Sequence, residues 1–137
     1  MRPPWIVLPI LLVSACATNG MAEDQSPTLT AKQQATLTKA LEGKVAGKPQ
    51  SCMSMIPRAD LQVISDDVLL YKIGRTVYVN RMMGNCSGLT NGRTLVSNVW
   101  GSQVCRGDIA RVADLNVGMI TGSCAFGDFV PYSPAGE

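Results

Sequence analysis

Histidine is absent from all 137 residues of the chain. That absence removes Ser-His-Asp and Cys-His nucleophile pairs, together with every metal site that uses an imidazole. Aromatic side chains are scarce, at 5% of the chain, and the basic residues are scattered, with a formal net charge of only +2. A nucleic-acid binder needs a basic stripe or a stacking platform, so no nucleic-acid partner is expected. There is no C-x-x-C pair, the feature expected of a disulfide oxidoreductase, and no S-x-x-K spacing for a Ser-Lys dyad. Internal repeats and low-complexity tracts are missing as well. No motif implies a cofactor.

What is present begins at the amino terminus. Arg2 supplies a short positive segment, and Trp5 to Val13 is apolar apart from Pro9. This is the length of a secretion-signal core and too short to span a bilayer. It ends in Val13-Ser14-Ala15-Cys16, which resembles the lipobox of bacterial lipoproteins. The resemblance implies cleavage before Cys16 and acylation of its thiol, palmitate included, and of the new amino terminus. Two or more acyl chains hold a protein stably on a membrane where one does not. Ala17 follows the cysteine, where a resident inner-membrane lipoprotein of enteric type more often carries Asp. The expected location is therefore the periplasmic face of the outer membrane, with the membrane as first partner.

The remaining chain is one domain's worth. Residues 1–15 read as signal peptide, 16–28 as a flexible tether, 29–48 as a helical arm, 49–132 as a small β domain and 133–137 as a tail. In the arm, Thr30 and Gln33 form a capping box, and Leu37, Leu41 and Val45 recur on one helical face. Gly43 and Gly47 weaken that helix, and Pro49 forbids its continuation. From Cys52 onward the pattern changes to short strands. Leu61–Ser65 meets Val68–Ile73 across Asp66-Asp67, and Gly74-Arg75 turns into Thr76–Met83. Asn91-Gly92 is a hairpin dipeptide leading into Arg93–Trp100. Ile109–Leu115 and Cys124–Val130 add two more strands around a loop holding Gly118 and Gly122. The expected fold is mainly β, a small antiparallel barrel or sandwich with one amino-terminal helix and disulfide staples.

With Cys16 assigned to lipid, Cys52, Cys86, Cys105 and Cys124 remain. An even number in an exported chain predicts two disulfides, and four cysteines allow three connectivities. The preferred pairing is Cys86–Cys105, stapling a local loop, with Cys52–Cys124 tying the ends of the domain. A four-cysteine zinc site is the competing use, but such sites bring closely spaced cysteine pairs, and these four lie far apart.

Several segments carry a family likeness. Gly43-Lys44-Val45-Ala46-Gly47-Lys48-Pro49 leads into Cys52, followed by Tyr78-Val79-Asn80 and Cys86-Ser87-Gly88-Leu89. Cys105-Arg106-Gly107-Asp108 and Cys124-Ala125-Phe126-Gly127-Asp128-Phe129 complete the series. Over roughly Leu41 to Tyr132 the chain resembles a family of proteobacterial lipoproteins known only as a domain of unknown function. The resemblance implies a small exported domain and brings no activity, ligand or catalytic residue with it.

Candidate sites are few. In Cys105-Arg106-Gly107-Asp108, the glycine allows a tight turn that presents Asp108 beside a fixed cysteine; the plainer use of that carboxylate is to cap backbone N–H groups. Arg106-Gly107-Asp108 also spells an integrin-type tripeptide, a coincidence in a periplasm-facing protein. Met53 and Met55, and the Met82-Met83 pair, are of a type that binds Cu(I), but methionine also fills cores. Asp66-Asp67 reads as turn residues rather than an acid–base pair. Trp100, followed by Gly101, is either a sheet-edge core residue or an exposed anchor for a partner or sugar.

The expectation is a non-enzymatic binding or structural module that contacts an envelope protein or ligand through Trp100 and Asp108. The alternative is a thiol-redox or metal- or ligand-handling protein using Cys105 or Cys124 with Asp108, for which one cysteine must be a reactive thiolate.

Overall fold

The computed structural model describes residues 28–136; the signal segment, Cys16 and nearly all of the tether lie outside them. One helix and eleven strands follow in order: α1 (Ala31–Ala40), β1 (Lys44–Ala46), β2 (Cys52–Ser54), β3 (Asp60–Val63), β4 (Val68–Ile73), β5 (Thr76–Arg81), β6 (Met83–Asn85), β7 (Thr94–Ser97), β8 (Gln103–Cys105), β9 (Ile109–Asp114), β10 (Met119–Ala125) and β11 (Phe129–Pro134). They form a five-stranded sheet ordered β1-β11-β5-β4-β3, a four-stranded sheet ordered β6-β10-β9-β7, and a β2-β8 ribbon. Every pairing is antiparallel. The expected mainly β fold with one helix and disulfide staples is the one found, in the form of packed open sheets. No helix among the described residues is long and apolar enough to cross a membrane.

The start of α1 follows directly from its residues. The Gln33 backbone N–H donates to Thr30 Oγ1 at 3.3 Å and Gln33 Oε1 accepts from the Thr30 N–H at 2.9 Å, closing the capping box. Leu37 is buried, whereas Val45 is exposed and belongs to β1 rather than to the helix. The helix ends early because Gly43 takes a positive φ of 70°, a left-handed conformation that reverses the chain into a strand. The 29–48 arm is thus half helix and half sheet edge.

The centre of the five-stranded sheet is covered on both faces, as β4 shows. Its run Val68-Leu69-Leu70-Tyr71 is wholly buried, the continuous pattern of a strand covered on two sides. Val68 and Leu70, with Val77 and Val79 of β5, face Leu37 of α1 in one core. Leu69 and Tyr71 face the other core, which holds Phe126 and Phe129, Ala110 and Val112 of β9, Cys124 of β10, and Met53 and Val104 of the ribbon. Met53 and Met82 are core residues, whereas Met83 is exposed.

Strand expectations differ from the structure at several points: Thr76–Met83 ends at Arg81, with Met83 opening β6 in the other sheet, and Arg93–Trp100 shortens to Thr94–Ser97. Asn91-Gly92 closes a short 3-10 turn, Leu89–Asn91, and not a hairpin, because β6 pairs with β10 and β7 pairs with β9. Cys124–Val130 is two strands in different sheets. The break falls at Gly127, where a Cβ would collide with the carbonyl oxygen of Arg81, and where Asn80 Nδ2 donates to Gly127 O at 2.9 Å. Finally, the 133–137 tail begins within β11, whose Ser133 and Pro134 pair with Val45 and Lys44.

Asp66 does more than fill a turn. Its carboxylate accepts from the Gly88 N–H, the Thr90 N–H and the Thr90 hydroxyl, each at 2.9 Å, and so anchors the 3-10 turn to the β3–β4 connection. Partial burial works against the ionised form, but these bonds from Thr90 and Gly88, with help from the Leu89 backbone, outweigh it and hold the carboxyl below its ordinary range. A depressed folded-state pKa gives stability that is complete above the unfolded value, about 3.9, and is lost as pH falls through the folded value. Asp66→Asn is expected to cost about 1 to 2 kcal/mol at pH 6. Urea melts between pH 6 and pH 2 should show the variant losing less on acidification than the parent; equal slopes would remove Asp66 from the acid response.

Candidate binding cleft

The four cysteines form Cys52–Cys105 and Cys86–Cys124. The expected pairing, Cys86–Cys105 with Cys52–Cys124, is therefore wrong. Cys52 and Cys105 lie directly opposite one another on the β2–β8 ribbon, with Cα atoms 4.0 Å apart. Cys86 follows β6, and β6 pairs with the part of β10 that carries Cys124. The segment between Cys86 and Cys105 crosses the second sheet as β7, so it is no local loop. Since Cys105 and Cys124 are both in bridges, neither presents a thiolate in this state.

Trp100 and Asp108, distant enough in sequence to be independent candidates, line one cleft. Its volume is about 340 Å³, and Val96, Asn98, Ile109, Arg111 and Ile120 line it with them. Strand alternation sets the floor: Val96 of β7 is the register partner of Arg111 of β9, and both point outward, while Ala110 and Val112 point into the core. Ile109 lies two residues before Arg111 and shares its face. Trp100 comes from the loop after β7 and is 95% exposed. The sheet-edge core expectation for this residue is overturned.

The rim on the other side is built by the Cys105–Asp108 turn. Asp108 Oδ2 accepts the Cys105 N–H at 2.8 Å, and the Asp108 N–H donates to Cys105 O at 3.0 Å. The Gly107 N–H donates to Phe126 O at 2.8 Å, and the Phe126 N–H returns a bond to Asp108 O at 3.0 Å. The backbone-capping role expected for this carboxylate is the one it performs. With Cys105 also bound to Cys52, the turn is pinned covalently and by hydrogen bonds, so the cleft has one rigid wall. Arg106 pairs with Asp128 at 3.0 Å, so the cation of the tripeptide is already engaged within the domain.

No family model, curated protein or solved structure matches the chain.

Recognition groups in the cleft are unspent. The side chains of Asn98 and Arg111 make no hydrogen bond or ion pair among the described residues, and Asp108 commits only Oδ2. Neither Asn98 nor Arg111 stands out in the sequence. The clue was the period-two pattern Val96, Asn98, Trp100, which puts three residues on one side of an extended chain. A larger hollow of about 460 Å³ lies beside the carboxyl end of α1, lined by Lys44, Asp60, Leu70 and Lys72 among others. It has no aromatic wall, and Lys44 Nζ is already bound to Arg75 O at 2.8 Å. Among the described residues no group of three or more His, Cys, Asp or Glu is placed to hold a metal ion.

Proposed function

We propose that the chain is a lipid-anchored protein of the bacterial envelope, held at Cys16, that acts as a non-enzymatic binding module through the cleft around Trp100. The observation that carries this is the indole itself. A tryptophan left 95% exposed beside a cleft whose Asn98 amide and Arg111 guanidinium make no bond among the described residues is well suited to anchor a contact. The lipobox-like residues ahead of Cys16 support the anchoring, and the tether expected over 16–28 would let the domain reach away from the bilayer. The thiol-redox alternative has less support, because the cysteines it needs, Cys105 and Cys124, are both in disulfides.

A photo-crosslinking amino acid placed at Ile120, on the wall of the cleft, in living cells tests the proposal. A discrete adduct is expected in the membrane fraction, with its yield falling at least about fivefold on Trp100→Ala, since exposed aromatic anchors dominate small contacts. Cys16→Ser is expected to move the protein out of that fraction. Adducts spread over abundant proteins, or a yield indifferent to Trp100, would remove the cleft from the function; a Cys16→Ser protein still in the membranes would remove the anchor.

A further inference from the structure

The cleft is at the small end of ligand pockets, which run to about 300–1,000 Å³. A hollow of this size takes a small unit, whereas a protein partner needs about 800 Å² of surface on each side. Its walls hold one cation, Arg111, and one carboxylate, Asp108, so their charges cancel. A strongly anionic ligand would meet Arg111 only by also meeting Asp108, and a cation the reverse. An uncharged ligand meets no such conflict.

The free groups are planar and forked. The Arg111 guanidinium offers paired donors, Asn98 a donor beside an acceptor, and Asp108 Oδ1 an acceptor. Such forks match hydroxyls on adjacent carbons, which lie about one fork-width apart and both donate and accept. The indole supplies the remaining element. Its face carries partial negative charge, and one face of a sugar ring presents C–H bonds made slightly positive by the neighbouring oxygens. The geometry points to a neutral saccharide as the occupant, with a pyranose ring stacked on Trp100 and its vicinal hydroxyls held by Arg111, Asn98 and Asp108. The inference rests on the binding-module proposal and gives its ligand a chemical class.

The test uses the full chain in a detergent without sugar headgroups, such as an amine oxide, applied to an array of neutral and acidic glycans. Cleavage before Cys16, which the anchored form requires, removes Trp5 and leaves Trp100 as the sole indole. Retention on neutral pyranose-bearing glycans is expected, and the same free oligosaccharide should shift Trp100 fluorescence in a saturable way. W100A should weaken binding about tenfold or more, and R111Q should weaken it without changing the melting temperature, both side chains being exposed. A blank array or binding unchanged by W100A would overturn the saccharide, and retention on acidic glycans only would overturn its neutrality. A blank array together with a Trp100-dependent protein adduct in cells would leave the binding module standing with a protein as its partner. Failure of both measurements would end both proposals.

Discussion

Replacing Cys86 and Cys124 together by alanine is expected to lower the unfolding free energy by about 4 kcal/mol or more. The bridge closes a loop with a sequence separation of 38, and cross-linking a loop of that length removes about 4 kcal/mol worth of entropy from the unfolded chain. A second loss adds to it. Cys86 is 0% and Cys124 4% exposed, both within the core that holds Phe126 and Phe129, so deleting the sulfurs leaves a void. Domains of this size carry about 5–15 kcal/mol in total, so the variant should lose a large share of its stability. Urea melts of the oxidised protein and the double variant measure the difference directly; a loss under about 1 kcal/mol would mean that the bridge constrains nothing. Cys52 and Cys105 are only half buried. Their bridge should yield first to a graded reductant, because access governs thiol attack.

Phe129→Ala is expected to cost about 4 kcal/mol. The ring is fully buried, stacked against Phe126 at 5.9 Å between centroids and edge-on to Tyr71 at 6.2 Å. These three rings join the five-stranded sheet to the turn between β10 and β11, so the cavity would open where the two sheets meet. Neighbouring backbone cannot easily collapse into it. Phe129 exchanges two hydrogen bonds of 2.8 Å with Gln50, and its register partner is Asn80. Phe129→Leu, which keeps most of the volume, should cost less than about 1.5 kcal/mol. Equal losses in the two variants, read from chemical denaturation, would show that the ring's shape and not its volume is what matters.

Features legible in the sequence were those with short-range causes. The capping box at Thr30 and Gln33 places the helix start, and Asp66-Asp67 and Gly74-Arg75 mark the β3-β4-β5 meander, because each turn joins strands that pair with one another. Pairings between distant segments leave no such mark. Nothing local in Lys44–Ala46 announces that it borders β11, and nothing in Asn91-Gly92 reveals that the strands on either side have other partners. The disulfide connectivity failed for the same reason, since it follows from which strands are neighbours. Burial of Trp100 depends on whether another segment covers it, which the residues around it do not record. Ile109 and Arg111 were missed because β9 carries an aliphatic residue on each face: Ile109 looks as suited to a core as Val112, yet only Val112 is inside.

The two disulfides have a mechanical consequence. Their loops, 52–105 and 86–124, overlap, so every residue from Cys52 to Cys124 lies inside at least one covalent ring, and the Cys52–Cys105 bridge passes a pull from the amino terminus straight to Cys105. Trp100, Asp108 and Arg111 are all within it. A pull between the amino terminus and an occupied cleft would meet α1 and the edge strand β1 first. Of the described chain on that side, only residues 28–51 can unreel, extending to about 80 Å at full stretch. The proposed binding cleft thus hangs on a short covalent path from Cys105, and residues 28–51 give way before it does.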